Sequence, residues 1–298
     1  MPGLRISLLI SLMVFGVLFG IVWARDLGRK YKQYGQDKGT IAPSVTHVAI
    51  GFVSNFLDTL GIGSFATTTS IYKLFRTIPD EQIPGTMLVG HMWPTVAQAL
   101  IYITWVKVDP LSLVLLIGAS IVGSWLGAGI VSRWPRRKVQ IGMGLALLGA
   151  SGLMLLKATG MLPSGGNATG LVGLPLAIGL LGNLILGAMM NIGIGAYGPS
   201  LILFGLLGMD LRAIFPIMMG SCAFIMPTSG IRFIGRGSYH ARAALGLALG
   251  GVPGVILAAY VVKQLPVRYL LWLVVAVAMY SALALLLSAR NETASKQP

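Results

Sequence analysis

The chain has 298 residues, 55% of them hydrophobic and only 10% charged, at a mean hydropathy of +0.83, where a soluble protein would carry about a quarter charged residues. Its net charge of +14 would suit a nucleic-acid binder. The basic residues instead sit in short loops between apolar runs, with no interleaved basic and aromatic face, so the lipid bilayer replaces nucleic acid as the expected partner.

In chain order, Ile6 to Trp23 is an apolar run followed by a basic stretch, Arg25 to Gly39. Val22-Trp23-Ala24 loosely fits a signal-peptidase site, but the run is long for a signal core and the charges after it are strongly basic. Residues 1–43 are therefore read as a retained transmembrane helix with a basic cytoplasmic loop. Val45 to Leu60 breaks at Gly61-Ile62-Gly63, and a short piece, Phe65 to Phe75, follows; at 1.5 Å per residue it covers about half a bilayer. The pair predicts a broken, re-entrant hairpin. Spans near 86–106, 111–132 and 138–156 complete a first repeat, 44–157.

A second repeat, 158–290, follows the same order. Leu171 to Met190 leads to a second break at Ile192-Gly193-Ile194-Gly195, a short piece runs from Tyr197 to Leu207, and spans follow near 211–234, 242–262 and 267–287. The breaks are offset by 132 positions, and Pro84 with Pro216, Gly123 with Gly254 and Pro135 with Pro266 fall at 132 or 131. The tail 291–298 is polar and cytoplasmic.

A hairpin returns to the side it left and three spans then cross, so each repeat makes an odd number of crossings. The repeats must run in opposite orientations, the inverted-repeat arrangement of many secondary transporters. The expected fold is an all-α polytopic membrane protein of two such repeats behind one extra helix. With the N-terminus outside and the C-terminus inside, all of the 22 basic residues but Arg5, Lys107, Lys157, Arg212, Lys263 and Arg268 lie on the cytoplasmic side, as the positive-inside rule favours.

Asn55-Phe56-Leu57-Asp58-Thr59-Leu60-Gly61-Ile62-Gly63-Ser64 resembles the glycine signature of the sulfite exporter TauE/SafE family of permeases. Asn191-Ile192-Gly193-Ile194-Gly195-Ala196-Tyr197-Gly198-Pro199 resembles it again, as do Thr228 to Phe233 and Gly123 to Ala128 other family landmarks. The resemblance covers about residues 44–288. It implies a cell-membrane permease for sulfite, organosulfonate, thiosulfate or a related small anion. Thr67 stands where the family often has proline, and Ser64 replaces a third glycine.

Helices that start in mid-membrane present unpaired N–H groups and a partial positive end, an anion site needing no buried cation. Gly61, Gly63, Ser64, Thr67, Thr68, Asn191, Gly193, Gly195, Tyr197 and Ser200 are the expected substrate-binding residues, with Asn55, Cys222 and Arg232 as outer candidates. The alternatives are close packing for the glycines and back-bonding to their own helix for the hydroxyls. Asp58, the single acidic residue expected deep in the membrane, reads either as a relay for a coupling proton or cation or as a cap on the broken helix. His91 is its expected titrating partner or a structural hydrogen-bonding group. No metal-spaced set and no nucleotide loop occurs in the sequence, so neither an enzyme nor a cofactor or metal is expected. A passive anion channel, and a transporter of another small anion such as a carboxylate, remain as alternatives.

Overall fold

The computed structural model describes residues 2–34, 41–60, 63–79, 82–130, 141, 144–145, 148–149, 151–152, 155–156, 159, 166–190, 197–264 and 267–294. Among them there is no β-strand. The named helices are α1 (Pro2–Tyr34), α2 (Val45–Thr59), α3 (Ser64–Phe75), α4 (Ile83–Gly90), α5 (Met92–Trp105), α6 (Pro110–Ile130), α7 (Gly173–Met190), α8 (Tyr197–Leu206), α9 (Leu211–Gly235), α10 (Ala241–Gln264) and α11 (Val267–Ala294). Four of them, over Gly3–Gln33, Gly173–Met190, Leu211–Gly235 and Ala241–Val261, are long and apolar enough to cross a membrane. The result is a helical, multi-pass membrane protein.

Two elements differ from expectation. The basic stretch after the first apolar run continues α1 as far as Tyr34 instead of forming a loop. At 33 residues α1 is about 50 Å long, more than the roughly 30 Å of hydrocarbon, so its charged turns can stand in water. The span expected near 86–106 is two helices, α4 and α5, meeting at His91. Pro94 has no N–H to give the Gly90 carbonyl, and its ring crowds that group, which releases the ladder there.

The chain folds as two compact units. Unit 1 comprises Met1–Trp105 and Cys222–Lys263; unit 2 comprises Val106–Ser221 and Gln264–Pro298. Each takes helices from both halves of the sequence, a partition by packing that is distinct from the repeats 44–157 and 158–290. In unit 1 α1 lies along α5, with Phe15 edge-on to Phe224 of α9. In unit 2 α6 packs closely on α7, and α8 lies against α11. Asp109 caps α6 through the Ser112 N–H (2.7 Å), and Asp210 caps α9 through the Arg212 N–H (2.8 Å).

Candidate functional site

The best-described constellation surrounds the first break, inside unit 1. Residues 61 and 62 lie outside the described residues. Gly63 has a φ of 79°, a left-handed conformation that glycine adopts without the strain a Cβ would bring. It hands the chain to α3, which begins at Ser64 with no cap from its own preceding side chain. Asp58 supplies the cap from the last turn of α2: its Oδ1 accepts the Ser64 N–H. Its Oδ2 accepts the Gln98 side-chain N–H at 2.9 Å. The same Gln98 nitrogen reaches the Thr59 hydroxyl at 2.8 Å, and Tyr102 donates to the Thr59 carbonyl at 3.2 Å. Asp58, Thr59, Ser64 and Gln98 are fully buried.

His91 sits in the α4–α5 joint, likewise buried. Its Nε2 lies 3.0 Å from the Thr68 hydroxyl and its Nδ1 lies 3.1 Å from Asn55 Oδ1. Asn55 in turn donates to the Gly51 carbonyl at 2.8 Å. His91 is thus tied to Thr68 and Asn55, a different pair from the Asp58 partnership considered in the sequence. Two hydroxyls of this region, Ser64 Oγ and Thr95 Oγ1, are buried without a hydrogen-bond partner in the protein. Burying a hydroxyl unpaired is costly, and such groups commonly serve water or a ligand.

The structure therefore brings together Asn55, Asp58, Ser64, Thr68 and His91 from three separate stretches. Thr67 does something simpler: half-buried, it back-bonds to the Gly63 and Ser64 carbonyls at 3.2 and 3.0 Å. Cys222 is fully buried in α9 and Arg232 is exposed near its end. In unit 2, Ser200 is buried in the first turn of α8. Gly61, Asn191, Gly193 and Gly195, like the Tyr197 side chain, lie outside the described residues.

Gln98 and Tyr102 join the site without having been singled out in the sequence. A lone amide within the apolar run Trp93 to Trp105 was the available signal for Gln98. Unit 2 holds a comparable buried amide, Asn183, which donates to the Leu116 carbonyl at 2.7 Å and to the Ser221 hydroxyl at 3.1 Å.

Chemically, the first break presents a helix start, a carboxylate holding that start, and a neutral polar shell of amide, imidazole and hydroxyl groups. Such a set of groups can bind an anion or exchange a proton. No curated protein and no solved structure matches the chain. One family model, described as "Sulfite exporter TauE/SafE", matches residues 47–285, leaving α1 outside the matched range. That match spans most of the sequence, and the chain belongs to the sulfite exporter TauE/SafE family of membrane transporters.

Proposed function

We propose that the protein is a secondary transporter of small, sulfur-containing oxyanions of the sulfite, organosulfonate or thiosulfate type, which are bound at the two Gly-Ile-Gly helix breaks. The observation that carries this reading is the start of α3, where a buried Ser64 hydroxyl without a partner adjoins the backbone N–H that Asp58 caps. A helix start of this kind holds anions through N–H groups and its partial positive charge. Neutral donors suit an oxyanion that must bind and then leave.

Asp58 supplies a route to coupling. As a carboxylate it occupies the helix end and repels a second anion. Protonated, it loses its charge, weakens its hold on Ser64, and leaves that N–H to the substrate. Proton and anion then enter together. Cation coupling through Asp58, and the passive-channel alternative, differ from this in the energetics of flux.

Gly63→Leu tests the site. A side chain at a φ of 79° is strained wherever it points, so the α3 start shifts and proteoliposome flux of sulfite is expected to vanish while the protein still reaches the membrane. Normal flux in Gly63→Leu and Gly195→Leu would remove the basis for the reading. Substrate class follows from apparent thermal stability measured across sulfite, thiosulfate, sulfonates, sulfate and carboxylates, since a ligand that prefers the native state stabilises it by linkage. A response to carboxylates alone would reassign the substrate.

A further inference from the structure

A second polar cluster lies in unit 1, at the end of the α2–α3 hairpin away from the break. His47 is in the first turn of α2, about 16 Å along that helix from Asp58. Its ring meets Tyr72 of α3 edge-on at 6.1 Å between centroids and His240, just before α10, at the same distance. Arg242 lies in the first turn of α10, and its charge reaches both imidazoles. One turn further along α10, Gly246 backs directly onto His47, so the face carrying Arg242 and Gly246 is the one turned to α2.

Three side-chain groups here are buried with no hydrogen-bond partner in the protein: His47 Nε2, Tyr72 Oη and Arg242 Nε. His47 is 7% exposed and Tyr72 fully buried. The Ser44 hydroxyl lies 2.8 Å from His47 Nδ1 while its oxygen accepts the His47 backbone N–H at 3.3 Å. The hydroxyl proton can go to Nδ1, and in that tautomer Nε2 carries the ring N–H. All three groups can therefore donate at once. Two helices, α2 and α10, also begin at this cluster and turn their partial positive ends toward it. Among the described residues, the charges acting on His47 and His240 come from His240, Arg242 and Lys30, all basic. Asp26 is already held by Tyr239 and Lys30.

We propose that His47, Tyr72, His240 and Arg242 form a second oxyanion site, separate from the first break, at the end of unit 1 that the basic-residue count assigns to the cytoplasm. Unpaired buried donors beside the Arg242 guanidinium match the chemistry of a sulfate-like or phosphate-like group. The site rests on the anion-transport reading only for its use as a way station; its existence is tested by binding.

The test is the unfolding midpoint of the full chain, purified in uncharged detergent, as sulfate is titrated against chloride at equal ionic strength. Sulfate is expected to raise the midpoint, and Tyr72→Phe to raise the half-saturating concentration roughly tenfold, the loss of one hydrogen bond to a charged group. Arg242→Gln should do the same. If Tyr72 were only a packed ring, losing its unpaired hydroxyl would leave the sulfate response unchanged, and that outcome overturns the second site. A response to phosphatidylglycerol in mixed micelles, with none to sulfate, also overturns it, by assigning the donors to a lipid headgroup. Neither result touches the break, which is judged by flux in Gly63→Leu. Conversely, loss of the transport reading leaves a Tyr72-dependent sulfate response standing.

Discussion

Asp58 shows why a carboxylate can persist in this environment. Its two oxygens take a backbone N–H at Ser64 and a side-chain N–H at Gln98, donors of the kind that stabilise a buried anion. Asp58→Ala removes the α3 cap, about 1 kcal/mol in typical helices, and leaves one of the two buried Gln98 side-chain N–H groups without its acceptor, about 1–3 kcal/mol more. Asp58→Asn keeps an acceptor for Ser64 and should cost less. The expected order of unfolding midpoints is wild type, then Asn, then Ala. In flux, Asp58→Asn is expected to move anion down its own gradient yet lose the response to an imposed pH gradient; a retained response would place coupling elsewhere. Much of this residue set was legible: Asn55, Asp58, Ser64, Thr68 and His91 stand out as polar groups in apolar runs. Gln98 and Tyr102 were not, because their roles depend on partners some forty positions away. Thr67 and Thr68 are neighbours of the same type in sequence, and a rotation of about 100° per residue separates them. One meets His91; the other bonds to its own helix.

Between helices, the loop joining α9 to α10 is held from three sides. Tyr239 donates to Asp26 of α1, with Lys30 over its ring at 3.7 Å. The His240 N–H donates to Thr86 of α4 at 2.9 Å, and His240 Nδ1 accepts the Ala243 N–H at 3.2 Å, capping α10. Burial first, then the nearby Arg242 and Lys30, lowers the His240 pKa below its ordinary 6.5. The folded chain then binds fewer protons than the unfolded one between the lowered pKa and 6.5, so stability rises with pH across that window. The cap's contribution is complete above pH 6.5 and falls away as the pH drops below it. His240→Asn keeps a capping side chain that does not titrate, and the acid-side fall in unfolding midpoint should flatten. A slope identical to wild type would locate the titration in another group. Element boundaries were harder to read than element types. Pro94 and Pro227 sit in similar Trp-Pro-Thr and Met-Pro-Thr contexts, yet the ladder parts at His91 while α9 runs unbroken through Pro227. Gly90 lies against the Ala244 and Leu247 side of α10, a tertiary contact that a local motif does not encode.

Across the whole molecule, the same helix pairing occurs once in each unit and in the same register. In unit 1, a Cβ on Gly51 would come 2.7 Å from the Leu247 carbonyl oxygen, one on Gly254 would come 2.5 Å from the Phe52 carbonyl oxygen, and one on Gly251 would meet Asn55 at 2.5 Å. In unit 2, the Asn183 amide bonds the Leu116 carbonyl, and Cβ atoms on Gly123 and Gly187 would come 1.9 and 2.1 Å from the Leu184 and Ser120 carbonyl oxygens. Residues 51, 52 and 55 and residues 183, 184 and 187 are offset by 132; residues 116, 120 and 123 and residues 247, 251 and 254 are offset by 131. Each hairpin's first helix therefore packs on a span from the other half of the sequence, at equivalent positions. This supports internal symmetry by a route independent of the glycine breaks, since small residues let helices approach closely only where their positions match. Symmetry alone leaves the relative orientation to be tested; crossing parity and the positive-inside rule predict opposite orientations. Lys107 and Ser238 occupy equivalent loops, 131 positions apart; in an inverted pair they face opposite sides of the membrane. With Cys222, which is buried, replaced by alanine, single cysteines at 107, 157 and 238 can be probed with an impermeant maleimide in intact cells. Positions 107 and 157 are expected to label from outside, and 238 only after the membrane is opened. Labelling of 107 and 238 from the same side would mean an even number of crossings per repeat. The two helix starts would then point the same way, and an anion could not meet them from opposite faces as the inverted arrangement requires.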